Sequence, residues 1–86
     1  MQKAFEKDCE ADRLYEAFAL LRTPKEARAF LFDIATPGEI ATLAERWRIA
    51  AMLDTGAMTY REIAAATGAS TATIVRVAKF LRERPF

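Results

Sequence analysis

Histidine is absent from this 86-residue chain, and Cys9 is its only cysteine. No internal disulfide can form, which suits a reducing cytoplasm. With no histidine and one thiol, the chain has little to offer a zinc ion or a histidine-based acid–base pair. Long apolar runs are missing too: none approaches the roughly 18 to 20 residues of a membrane span. The start, MQKAFEKDCEADRLY, is charged and lacks the apolar core of a signal peptide. A soluble, cytoplasmic protein is therefore expected, with no membrane or metal partner. No paired carboxylates, nucleophile motif or phosphate loop stands out, so an enzyme is not expected. Glycine and proline number only three each, and no alternating strand pattern or low-complexity linker occurs.

What is abundant is apolar side chain: 52% of the residues, with six phenylalanines. One domain of this size buries only a modest part of its surface. The excess points to a second copy of the chain. The net charge of +1 is unevenly spread. Residues 1–57 hold 8 basic and 10 acidic side chains, whereas residues 58–86 hold 5 basic ones (Arg61, Arg76, Lys79, Arg82, Arg84) and 2 acidic ones. A small excess of this kind is commonly just a solvated face, and it acquires meaning only beside a motif.

Three Thr-x-x-Glu segments, at Thr23, Thr36 and Thr59, mark helix starts, and Pro24 and Pro37 suit the first helical position. A fourth start falls at Ser70. Apolar spacing between them is helical. One stripe is Ala11, Leu14, Tyr15, Phe18 and Leu21; a second is Ala27, Phe30, Leu31 and Ile34. A third is Ile40, Leu43, Ala44, Trp47, Ala50 and Ala51, widened by Ile49, Met52 and Leu53. Ile74, Val77, Ala78 and Leu81 form the last. The spacing predicts five helices, at about 5–21, 24–34, 37–54, 60–66 and 71–83, with Gly56 capping the third.

The segment TYREIAAATGASTATIVRVAKF, residues 59–80, fits a helix-turn-helix. That motif needs a small residue where its helices approach and often a glycine in the turn. Counting Tyr60 as the first position, Ile63 is the buried fourth, Ala64 the small fifth and Gly68 the ninth. Ala69, Ile74 and Val77 supply the other apolar positions. Alanine-rich hairpins also arise for packing alone, but here basic residues flank the frame on both sides. A recognition helix enters the major groove by its N-terminal end. Ser70, Thr71, Ala72 and Thr73 lie there, and no Arg or Gln is present for bidentate base reading. Much of the specificity is therefore expected through water and DNA shape. Tyr60, Arg61 and Lys79 complete the expected DNA-binding set, with Arg61 and Lys79 on phosphates. A helical dimeric protein-interaction module would explain the apolar excess equally well, but neither the Gly68 frame nor the basic flank.

TPGEIATLAERWRIAAMLDTGAMTYREIAAATGASTATIVRVAKFL resembles the bacterial Trp repressor family. The marks are the Thr-Pro-x-Glu start, RWRI, Gly56 and Met58, RE at 61–62, and GA plus ATI leading into Arg76. The chain is similar to the short, Firmicutes-type members. The resemblance implies an all-α fold of five to six helices that forms an intertwined two-fold homodimer. Within a single domain over 1–86, residues 1–55 would be the dimerisation core and 58–83 the reading head. It implies a sequence-specific transcriptional regulator, a repressor of an amino-acid biosynthesis operon, acting on a double-stranded operator. It also implies an amino-acid corepressor held by Thr36, Arg46 and Arg76. A guanidinium suits a carboxylate. Tryptophan-binding members have Gly after the second arginine and a small Ser three residues later. This chain has Val77 and Phe80 there, which would fill the space of an indole and disfavour tryptophan. By the generic frame, Arg76 could reach DNA instead.

Overall fold

The computed structural model describes the backbone of residues 2–83 and the side chains from Cys9 to Glu83. Phe5, which would extend the first apolar stripe, and Arg84 lie outside the described side chains. Five helices follow one another: α1 (Gln2–Ala19), α2 (Pro24–Ile34), α3 (Pro37–Thr55), α4 (Tyr60–Thr67) and α5 (Thr71–Glu83). The described residues contain no strand. The α2 and α5 bounds coincide with the spacing. Helix α3 and helix α4 each run one residue further. Helix α1 starts earlier and ends two residues sooner, because the Leu20 and Leu21 amides donate to the carbonyls of Ala17 and Phe18 and close a tighter turn. No described helix is long and apolar enough to cross a membrane.

The chain divides into two compact units, residues 1–35 and 36–86. In the first, the Phe18 and Phe30 rings meet edge to face, with centroids 5.3 Å apart and planes at 71°. Arg28 lies 5.1 Å over the ring of Phe32 one turn later. Thr23 caps α2 by accepting the Glu26 amide at 3.1 Å. The Glu26 carboxylate, however, accepts from the Arg22 amide and not from Thr23. The expected capping box is thus displaced by one residue at its returning arm.

In the second unit, both boxes close. Thr36 Oγ1 accepts from the Glu39 amide, and Glu39 Oε1 accepts from the Thr36 amide at 2.8 Å. Thr59 and Glu62 repeat this, with the return bond at 2.9 Å. Each Glu carboxyl is held below its usual range, first by the backbone N–H it accepts and then by the threonine side chain. Gly56 ends α3 with φ 68°, in the left-handed region that glycine enters at no steric cost.

Ile49, Ile63 and Ile74 are fully buried, and with Ala69 and Val77 they form the core among α3, α4 and α5. Ala50, Met52, Leu53, Met58, Ala64 and Leu81 pack around them. Helix α3 therefore turns its Ile49 face to this core. Its Leu43 and Trp47 face remains outside, with Trp47 73% exposed. An α-helix apolar on most faces is made to be covered on more than one side.

Candidate nucleic-acid interface

Helix α4, the Gly68 turn and α5 form the helix-turn-helix, and α3 is the strut behind it. Gly68 takes φ 77°, and its amide donates to the Ala64 carbonyl at 2.9 Å. Thr67 Oγ1 donates to the Ile63 carbonyl at 2.8 Å and accepts from the Ala69 amide at 3.2 Å. One hydroxyl thus stitches the end of α4 to the turn. Ser70 Oγ accepts from the Thr73 amide at 3.2 Å and lies 3.0 Å from Thr73 Oγ1. Ser70 is the cap of α5, as its place after Gly68 predicts.

Of the residues expected at DNA, Arg61, Ser70, Thr71, Ala72 and Lys79 are exposed and Thr73 is half-buried. Tyr60 is also exposed and lines a cleft of about 310 Å³ with Leu53, Asp54, Ala78, Leu81 and Arg82. Residues 70–73 stand together at the start of α5, and Arg76 and Lys79 follow on its exposed side.

The residues expected to hold a small molecule are more dispersed. Thr36 and Arg46 line one open cleft of about 540 Å³ along α3, with Gly38, Glu39, Thr42 and Leu43. Arg46 is half-buried there, while Arg76 is exposed on α5. Val77 belongs to the core and is 4% exposed, whereas Phe80 is 53% exposed. The two residues set apart from the family pattern thus have different surroundings.

Arg48 is a residue that sequence reasoning passed over. Its Nη2 donates to the Ala66 carbonyl at 3.2 Å, tying α3 to the last turn of α4. Carbonyls at a helix C-terminus lack intrahelical donors, and a cation there suits the helix dipole. Eighteen residues separate the two groups. Only the packing of α3 against α4 reveals the pair, and no local spacing signals it.

These features define the class: an all-α helix-turn-helix protein. Residues 9–85 match the family model described as Trp repressor protein. A Bacillus subtilis (strain 168) protein, described as uncharacterized protein YerC, is 43% identical over 72 residues, 84% of this chain and 68% of that one. Among solved structures, a TrpR like protein from Eubacterium eligens ATCC 27750 superimposes with a TM-score of 0.74 at 43% identity, over 81% of this chain and 71% of that one. A candidate Trp repressor from Staphylococcus aureus gives 0.81 at 35% identity, over 96% and 82% of the two chains. The chain belongs to the Trp repressor family, a family of DNA-binding transcription regulators.

Proposed function

We propose that the protein is a homodimeric, sequence-specific transcriptional repressor of an amino-acid biosynthesis operon. The observation that carries the DNA-binding role is the reading head itself. A closed three-isoleucine core and a stitched Gly68 turn hold Ser70, Thr71, Ala72 and Thr73 at the tip of a helix whose outer face continues into Arg76 and Lys79. Residues 1–55 are the dimerisation core in this reading. Leu14, Tyr15, Phe18, Phe32, Leu43 and Trp47 all leave more than a third of their surface exposed in the single chain, which supports it. Such an apolar surface suits a self-complementary two-fold contact.

Arg61 and Lys79 hold phosphates, Tyr60 stands beside them, and the tip of α5 faces base edges. An amino acid smaller than tryptophan is the corepressor, held by Thr36, Arg46 and Arg76. Arginine donors match its carboxylate, and Phe80 reduces the room for a large ring.

The experiment is duplex-DNA binding measured against salt. Wild-type protein binds random duplex with a negative log–log slope, and Lys79→Ala lowers that slope by about one unit. Salt-independent or absent binding overturns the DNA role and leaves a helical protein-interaction module. Calorimetric titration with amino acids tests the corepressor, which fails if none binds either wild type or Phe80→Ser.

A further inference from the structure

On α5, Ile74, Val77 and Ala78 turn inward and are buried. The other side holds Thr71, Ala72, Val75, Arg76 and Lys79, all exposed. Val75 leaves 49% of its surface in solvent. Burial does not account for it, and neither does helix propensity, since β-branched valine is a poorer helix former than alanine, lysine or arginine. A single exposed valine is ordinary. What distinguishes this one is its position. Val75 follows Ala72 by three residues and Thr71 by four, which makes the three side chains neighbours on one helix face. They form a row of methyl groups over the first turns of the recognition helix, with Arg76 and Lys79 beyond.

Two of the three hydroxyls at the same tip, those of Ser70 and Thr73, are otherwise engaged. Ser70 Oγ caps the Thr73 amide and sits within hydrogen-bond distance of Thr73 Oγ1. These two hydroxyls thus already have a partner in each other, which reduces what the pair has left for a base, and Thr71 keeps its own hydroxyl beside its methyl group. In the major groove the one apolar group a base presents is the C5-methyl of thymine.

We propose that Thr71, Ala72 and Val75 form a methyl-lined reading face that selects thymine through its C5-methyl group, with Val75 the specificity-determining residue. This rests on the DNA-binding role argued above. Removing a methyl from either side of the contact exposes the same apolar surface, so the two losses overlap and do not add.

The test begins with a duplex enriched by the wild-type protein from a random pool. That duplex is resynthesised with deoxyuridine replacing thymidine at one position at a time. At one or more positions in each half-site, loss of the methyl weakens wild-type binding about fourfold. Val75→Ala weakens binding to the thymidine duplex by a similar factor or more, loses the thymidine–deoxyuridine difference at that position, and weakens random-DNA binding by a smaller factor. Val75→Thr, which keeps the shape and one methyl, falls between the two. Circular dichroism checks that both variants remain folded. If no position responds to deoxyuridine, or if Val75→Ala keeps the full response, the methyl-reading face is wrong while DNA binding stands. Failure to bind any duplex overturns both.

Discussion

Residues 9–35 contain no buried side chain, whereas residues 36–83 bury Ile49, Ile63, Ala69, Ile74, Val77 and Ala78. The two regions do not differ in apolar content as much as this suggests. The first carries Leu14, Tyr15, Phe18, Leu20, Phe30, Phe32 and Ile34, larger on average than the buried set of the second. The difference is what each region can cover by itself. Three helices around three isoleucines enclose a core. Two helices joined by a short turn meet at the Phe18 and Phe30 rings, and in the single chain Leu14, Tyr15, Phe18, Leu20, Phe32 and Ile34 remain exposed. The contrast separates a unit that completes its own core from a region whose apolar side chains stay exposed in the single chain, the surface the proposed dimer would use.

The largest expected effect lies in the head. Ile74 is fully buried in its core, so Ile74→Ala should cost about 2–5 kcal/mol, the range of large-to-small core changes. Urea unfolding followed by circular dichroism measures it. For a domain this small that is a large part of total stability. Phe30→Ala in the first unit should cost less in the monomer, because Phe30 is only half-buried there. Equal losses in dilute protein would remove the contrast between the regions.

The next effect sharpens the contrast from the other side. Trp47, 73% exposed in the single chain, should act as an anchor between copies. Trp47→Asp should weaken self-association by about 2 kcal/mol or more, roughly thirtyfold in dissociation constant, as read by sedimentation equilibrium. The unfolding of α4 and α5 should not follow it. A wild-type protein that stays monomeric at micromolar concentration sinks the dimer, and the exposed face of α3 then needs another occupant.

Much of this was legible in the chain. Thr36 and Thr59 announce their helices by a threonine, a glutamate three residues on and an apolar run behind, all local features. Gly68 announces the turn because few residues adopt its backbone angle. The face of α3 was harder to read. Apolar residues lie nearly all round it, so spacing alone set Leu43 and Trp47 in the main stripe and Ile49 at its edge. The structure buries Ile49 completely and leaves Trp47 outside. Which face meets which neighbour depends on how α4 and α5 fold back, and no periodicity carries that. The Arg48 bond to Ala66 was invisible for the same reason. In the candidate site, the helix-turn-helix frame counted from Tyr60 placed Ser70, Thr71, Ala72 and Thr73 at the start of α5, where the structure has them. Val75 fell outside the last apolar stripe, and spacing alone gave it no role; its exposure beside Thr71 and Ala72 is known only from the structure.

A smaller effect tests how the head holds its turn. Gly68 has φ 77°, and a Cβ added there would meet nothing within 4 Å. The cost of Gly68→Ala is therefore backbone strain alone, about 1–2 kcal/mol. Specific DNA binding should fall by more than stability predicts, since the turn sets the angle of α5. If stability falls and specific binding does not, the turn is not what aims the recognition helix.

The smallest effect separates the regions by acid. Both closed capping boxes lie in residues 36–83, at Thr36 with Glu39 and at Thr59 with Glu62. At the start of α2 the carboxylate of Glu26 turns to Arg22 instead. Glu39 and Glu62 are held below the ordinary carboxyl range by the amides they accept. A group whose folded pKa is lowered binds its proton more readily in the unfolded chain. Its stabilisation is present above the unfolded value and fades as pH falls through the folded one. The helix starts of α3 and α4 should therefore hold at neutral pH and loosen in the acid range below the ordinary carboxyl value. Both carboxylates are open to water, so the change should be slight, and salt should reduce it further. Thermal melts at pH 7 and in acid, on wild type and on the double variant Glu39→Gln with Glu62→Gln, measure it. The glutamine amide oxygens can still accept the returning backbone N–H, but they cannot titrate. The variant should melt slightly lower than wild type at pH 7 and lose less on acidification. A variant that loses as much as wild type on acidification would place the acid sensitivity in other carboxylates.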